Sequence, residues 1–152
     1  MIMQAFVSDE TGLSKKAQVG IDLSICEIRE ITGGYFAKDK KAVIHSYDDI
    51  SLIGDCWHLR AGKVYSLTFD QHIKLDEFHS AFIKHKSSLL RAGAFITSGV
   101  FDPGFESQIG ATMFVFNNIT IEKGALLAQV IIHENYPTEK YNGNYQKDKD
   151  LK

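Results

Sequence analysis

This chain is short of cysteine, of long apolar runs and of any excess of one charge, and each shortage removes a class of protein. Cys26 and Cys56 are the two cysteines among 152 residues, with no CxxC spacing. A disulfide framework is therefore excluded, and both read as reduced, buried thiols of a cytoplasmic protein. No apolar stretch reaches the roughly eighteen residues that a membrane-spanning helix needs. The opening MIMQAFVSDETG has no basic segment leading into an apolar one, so no export signal and no membrane partner are expected. The formal net charge is -2, from 17 Lys and Arg against 19 Asp and Glu. That balance leaves no dominant basic face for nucleic acid, although a local positive site remains compatible with it. Histidines at 45, 58, 72, 79, 85 and 133 show no metal-ligand spacing. No internal repeat divides the chain, which is long enough to bury a sizeable core as one domain.

What is present is mainly β-structure. The segments 64–75, 93–101, 109–121 and 125–134 are rich in β-branched and aromatic residues, and Gly62, Gly93, Gly99, Gly104 and Gly124 punctuate them. One or two shorter strands are expected in 42–53. The helical candidate is 76–90, where Ser87-Ser88-Leu89-Leu90 suits one or two turns. Closely spaced strands without long intervening helices predict an all-β subunit, a sandwich or distorted barrel. The polar stretch 136–152 is expected to be a mobile tail after a β domain at 1–135.

The segment KSSLLRAGAFITSGVFDPGF, 86–105, carries the chemistry. Ser87 and Ser88 stand beside Lys86 and Arg91, a donor-rich cluster suited to phosphate oxygens. Asp102 follows a strand-like Gly-Val-Phe and precedes the turn formers Pro103 and Gly104. A carboxylate near an anion clamp can orient water or a metal while the cations absorb developing negative charge. Plainer readings exist for each residue. Asp22 and Asp102 are good turn or cap residues, Lys86 and Arg91 could solvate a surface, and Phe105 could be core.

Four short motifs in order bear on these alternatives. Val19-Gly20-Ile21-Asp22-Leu23, Lys86-Ser87-Ser88-Leu89, Gly99-Val100-Phe101-Asp102 with Phe105, and Gly124-Ala125-Leu126-Leu127-Ala128-Gln129-Val130 run through residues 19 to 134. Together they resemble the motifs of the dUTPase and dCTP deaminase superfamily. The resemblance implies a jelly-roll-like barrel subunit, of the kind called a β-clip, assembled as a homotrimer with active sites at subunit interfaces. It implies a dUTP diphosphatase, in which Asp102 activates the water that attacks the α-phosphorus and releases pyrophosphate. Phe105 would lie under the deoxyribose and exclude a 2′-hydroxyl. Lys86, Ser87, Ser88, Arg91 and Gln129 would hold phosphate oxygens, with Tyr145 of the tail also at the substrate and Asp22 in structural support. Mg²⁺ would be held mainly by the triphosphate. Backbone groups of the 93–104 hairpin would read the base.

The chain departs from this pattern in places that keep two alternatives open. Lys86 replaces an arginine, keeping charge but losing the bidentate fork. Glu106 and Ser107 replace a basic residue and a glycine. The Gly-rich fifth motif that closes over the phosphates in many dUTPases is absent. Instead Tyr141-Asn142-Gly143-Asn144-Tyr145-Gln146 resembles the tail of the deaminase branch, with Asn144 in place of a lysine and Lys147 and Lys149 nearby. A catalytically weak nucleotide-binding or regulatory protein is one alternative. A dCTP deaminase-like enzyme is the other, and Thr112 opposes it by standing where that branch carries its proton-shuttling glutamate, since a threonine hydroxyl does not titrate near neutral pH. Val100 likewise replaces a deaminase arginine. A zinc deaminase is excluded by the lack of HxE with PCxxC.

Overall fold

The computed structural model describes residues 6–13, 15, 17–38, 43–136, 139–143 and 145–148. Among these residues ten strands form: β1 Val7–Ser8, β2 Ile21–Phe36, β3 Val43–Asp49, β4 Cys56–Leu59, β5 Lys63–Lys74, β6 His79–His85, β7 Ala94–Thr97, β8 Glu106–Val115, β9 Ile119–Glu122 and β10 Leu126–Glu134. A five-residue helix, α1, spans Ser87–Arg91, and a 3₁₀ turn spans Gln146–Asp148. Strands β5, β8, β7, β6, β10 and β2 pair in that order, and β2 pairs back onto β5, so the sheet closes into a six-stranded barrel. β1 extends the barrel beside β5, β3 extends it beside β2, and β4 pairs separately with β9. The all-β expectation holds.

Period-two alternation explains the interior. In β5, Tyr65, Leu67, Phe69, Gln71 and Ile73 are all buried, as successive inward positions of a strand must be. Ile109, Met113 and Val115 of β8, Ala81 and Ile83 of β6, Ala94 and Ile96 of β7, and Ala128 and Val130 of β10 complete the core. Each fully buried large apolar side chain contributes on the order of 2 kcal/mol.

Closure depends on β2 changing partners along its length. Ile21 to Ser24 pair with β10, Ile25 to Glu30 pair with β5, and Arg29 to Phe36 pair with β3. Ladders slip where partners change, and β5 also slips against β8 between Thr68 and His72. Backbone groups stranded by such bulges need other partners. Two glutamines provide them. Ser24 N–H donates to Gln71 Oε1 at 2.9 Å, and Gln108 Nε2 donates to Phe69 O at 2.8 Å. Gln71 Nε2 donates in turn to Ser24 Oγ at 2.8 Å and to Asp9 Oδ1 at 3.0 Å, while Ser24 Oγ donates to Asp70 Oδ2 at 2.6 Å.

Several boundaries differ from the sequence expectation. Residues 79–85 are strand, not helix: Ala81 and Ile83 alternate inward, and seven consecutive residues pair with β10. The helix keeps the Ser-Ser-Leu-Leu-Arg portion, anchored by buried Leu89. The segment 109–121 is two strands separated at Asn117 and Asn118, and the latter's Oδ1 accepts from Ala61 N–H at 2.8 Å. β7 stops at Thr97, well before 101. The 42–53 strand is β3, shorter than its window. The full extent of β2 and the presence of β4 were not expected.

Gln71 is fully buried, so replacing it removes the acceptor of a buried amide. Gln71→Leu should lower unfolding free energy by about 2 kcal/mol, the cost of leaving such a donor unsatisfied. Urea denaturation should show a reduced midpoint at unchanged m-value, whereas an unshifted midpoint would remove the network from the account of stability.

Candidate active site

Asp102, Pro103, Gly104 and Phe105 form a tight turn whose residues suit it. Proline stands at the first corner, Gly104 follows with φ of 79°, and Phe105 N–H donates to Asp102 O at 3.0 Å. That combination is the signature of a type II turn. The barrel holds the turn from several sides. Phe101 and Ala81 exchange backbone hydrogen bonds of 2.7 and 3.0 Å, Gly104 N–H donates to Asp76 O at 2.9 Å, and Leu75 N–H donates to Phe105 O at 2.9 Å. The C-terminal segment adds three more bonds. Tyr141 N–H donates to Pro103 O at 2.7 Å, Gln146 Nε2 donates to Gly104 O at 2.9 Å, and Gln146 Oε1 accepts from Glu106 N–H at 2.8 Å.

Asp76, beneath the turn, accepts from Phe78 N–H at 2.8 Å and stands 2.6 Å from His79 Nδ1. Desolvation favours its neutral form, but the hydrogen bonds from His79 and Phe78 outweigh this and hold its carboxyl below the usual range. A lowered carboxyl pKa supplies stability above the ordinary carboxylate range. That contribution is lost as pH falls through the lowered value.

The turn borders a cavity of about 480 Å³, within the size range of small-molecule sites. Asp102, Phe105 and Tyr145 line it together with Thr112, His45 and Tyr47. Asp102 is exposed, and its carboxylate has no ion-pair or hydrogen-bond partner among the described residues. Phe105 is only 7% exposed, stacked on Phe101 at 5.0 Å between centroids and met edge-on by Tyr141 at 5.5 Å. It is therefore part of the core as well as of the cavity wall. Thr112 faces the cavity, and no described acidic side chain but Asp102 lines it.

Asp22, Lys86 and Gln129 come together elsewhere. Asp22 on β2 lies directly opposite Gln129 on β10, and Lys86 Nζ donates to Asp22 Oδ2 at 2.7 Å. A Cβ added at Gly20 would stand 2.5 Å from Val130 O and 3.0 Å from Gln129 Oε1, so glycine is required for the close approach of the two strands. Asp22 is 8% exposed, and its Oδ1 is buried without a partner among the described residues. Lys86 caps α1 in extended geometry, so Ser87, Ser88 and Arg91 follow on an exposed turn while Leu89 points inward. None of these six residues lines the cavity holding Asp102. Within one chain, then, the expected anion clamp and the expected carboxylate form two separate groups.

Sequence reasoning overlooked His45 and Tyr47, although their spacing in a His-Ser-Tyr strand puts both on one face. It also did not single out Tyr141 as a support of Phe105. Lys147 is exposed, and Asn144 and Lys149 lie outside the described residues. No three His, Cys, Asp or Glu side chains among the described residues converge as a metal cage. No helix among them is long and apolar enough to cross a membrane.

Comparison with known proteins places these features. The family described as dCTP deaminase-like matches residues 4–135. The chain is 36% identical over 121 residues to the deoxyuridine 5′-triphosphate nucleotidohydrolase of Methanocaldococcus jannaschii, covering 77% of each chain. It is 30% identical over 131 residues to the probable enzyme of that name from Aeropyrum pernix, covering 84% of this chain and 82% of the other. Among solved structures, the 2′-deoxycytidine 5′-triphosphate deaminase of Agrobacterium tumefaciens superposes with a TM-score of 0.64 at 18% identity, over 85% of this chain and 42% of that one. The EIAV dUTPase superposes with a TM-score of 0.59 at 16% identity, over 93% and 98%. The last two likenesses concern the fold.

Neither cysteine lines the cavity, and Cys26 is chemically quiet. Burial pushes its thiol up to about 11, with Asp70 and Glu27 adding to the shift. Iodoacetamide at pH 8 should label Cys26 on the order of a hundredfold more slowly than an ordinary thiol, because the thiolate is the nucleophile. Peptide mass spectrometry would read this, and rapid labelling of folded protein would contradict the assignment.

Proposed function

The chain belongs to the dCTP deaminase-like family, and from that membership we propose that it hydrolyses dUTP to dUMP and pyrophosphate in sites completed between copies of the chain. The observation that carries the proposal is Asp102, an unpaired carboxylate on a rigid turn at the wall of a nucleoside-sized cavity. The names of the relatives from M. jannaschii and A. pernix supply the substrate class.

In this reading Asp102 accepts a proton from water, whose oxygen attacks the α-phosphorus. The bond from that phosphorus to the bridging oxygen breaks, and pyrophosphate leaves. A carboxylate suits this role when no cation in its own chain neutralises it. Lys86, Arg91, Ser87, Ser88 and Gln129 hold phosphate oxygens, with charge-assisted bonds from the cations. Asp22 fixes the Lys86 ammonium by the 2.7 Å contact and so orients a point charge that lacks the fork of an arginine. Phe105, with Phe101 stacked on it, forms an apolar wall against the sugar that leaves a 2′-hydroxyl without a partner. Tyr145 flanks the same cavity. Mg²⁺ would be held mainly by triphosphate oxygens, the hard ligands such a cation prefers. It would supply neutralisation of phosphate charge.

The separation of the two residue groups supports a shared site in a homotrimer. One copy would contribute the cavity with Asp102, and another the cluster around Lys86. The family description favours deamination of dCTP as a second reading. Thr112 in the cavity argues against it, because deamination needs a titratable proton shuttle there.

Pyrophosphate release from dUTP with Mg²⁺, set against ammonia release from dCTP, separates the readings, and ammonia above a no-enzyme control would favour the deaminase. Asp102→Asn should lower dUTP turnover by a factor on the order of a hundred, the scale of losing a general base, with nucleotide affinity little changed. Wild-type turnover in a folded Asp102→Asn protein would end the catalytic assignment.

The shared site has its own test. Refolded together in equal amounts, inactive Asp102→Asn and Lys86→Met chains should regain about a quarter of wild-type turnover, because about a quarter of the interfaces then pair an intact Asp102 with an intact Lys86. No recovery in hybrids shown to form would place both residues' work within one chain.

A further inference from the structure

β3 presents ring side chains to the cavity. His45 and Tyr47 share one face of the strand, and both line the cavity. Gly34 stands opposite His45 on β2, so no cross-strand side chain competes for the space beside the imidazole. Tyr47 is fixed from the barrel side. The Arg29 guanidinium lies 4.4 Å from its ring centroid, a cation–π distance, and Arg29 Nε is 3.7 Å from Glu27. His45 is flanked by Tyr47 at 6.0 Å and by the edge-on ring of Phe36 at 6.3 Å.

On its far side, His45 Nε2 is 3.0 Å from Tyr145 Oη. Tyr145 belongs to the C-terminal segment, whose neighbours Tyr141 and Gln146 are bonded to the Asp102 turn at Pro103, Gly104 and Glu106. One end of this arrangement is thus tied to the catalytic turn and the other to the β2–β3 arm. The arm's contact falls on a side chain that itself lines the cavity.

We propose that His45 is a positioning residue for the nucleotide site: it holds the Tyr145 hydroxyl and so makes the Tyr145 ring a fixed part of the cavity wall. The identity of the ligand rests on the hydrolase reading above, but the His45–Tyr145 contact belongs to the protein alone. His45 acts through Tyr145 and takes no proton from water or substrate. Its effect therefore falls on binding, with little on the chemical step.

The test compares His45→Ala, Tyr145→Phe, the double variant and His45→Gln, whose amide can still reach the hydroxyl. Hydrogen–deuterium exchange of the peptide 141–148 in ligand-free protein is read alongside steady-state dUTP kinetics. Each single variant should speed exchange and raise KM about fivefold, the equivalent of one neutral hydrogen bond of about 1 kcal/mol, with kcat within about twofold. The double variant should be no worse than either single one, and His45→Gln should stay near wild type. Unchanged exchange in His45→Ala, or additive effects in the double variant, would overturn the proposal. If exchange behaves as expected while wild-type protein leaves dUTP intact, the substrate assignment fails and the positioning role stands.

Discussion

Everything in this molecule depends on one strand serving three partners. β2 begins against β10, closes the barrel against β5 and ends as an arm with β3. A closed barrel has no free sheet edge, but closure requires strands to tilt and registers to slip. The slips leave backbone groups without ladder partners, and an orphaned buried amide is costly. Gln71 and Gln108 resolve this by reaching Ser24 N–H and Phe69 O. Buried Gln71 and half-buried Gln108 are therefore part of the geometry of closure.

The same path of β2 positions both chemical groups. Its first residues bring Asp22 opposite Gln129 and into contact with Lys86, joining β2, β10 and the start of α1. Its last residues carry β3 and the rings that line the cavity with Asp102. The residues around Lys86 do not line the cavity that holds Asp102. Asp102 stays unpaired and Lys86 is held by Asp22, so neither neutralises the other.

Rigidity around Asp102 is built from backbone hydrogen bonds. The turn is gripped by β6, by the β5–β6 connection and by the C-terminal segment. Such bonds fix a carboxylate's position without touching its charge. Polar composition in 136–152 reads as mobility, yet it also contains Tyr141 and Gln146, which hold the turn by hydrogen bonds and, for Tyr141, by an edge-on ring contact with Phe105.

Alternation in β5, β8 and β10, and the Asp-Pro-Gly-Phe turn, were legible because strand period and turn chemistry are local properties. So were the four motifs, and with them the family. The strand at 79–85 was not legible, because its seven pairings with β10 come from a segment more than forty residues away. Nor was β2, whose glycines look like breaks until β3 pairs across them. The sequence by itself determined an all-β chain with a carboxylate on a turn and a cluster of Lys86, Ser87, Ser88 and Arg91. Only the tertiary structure decided that these occupy separate places, and that His45 and Tyr47 join the cavity, since distance between side chains is set by strand pairing across the barrel and not by spacing along the chain.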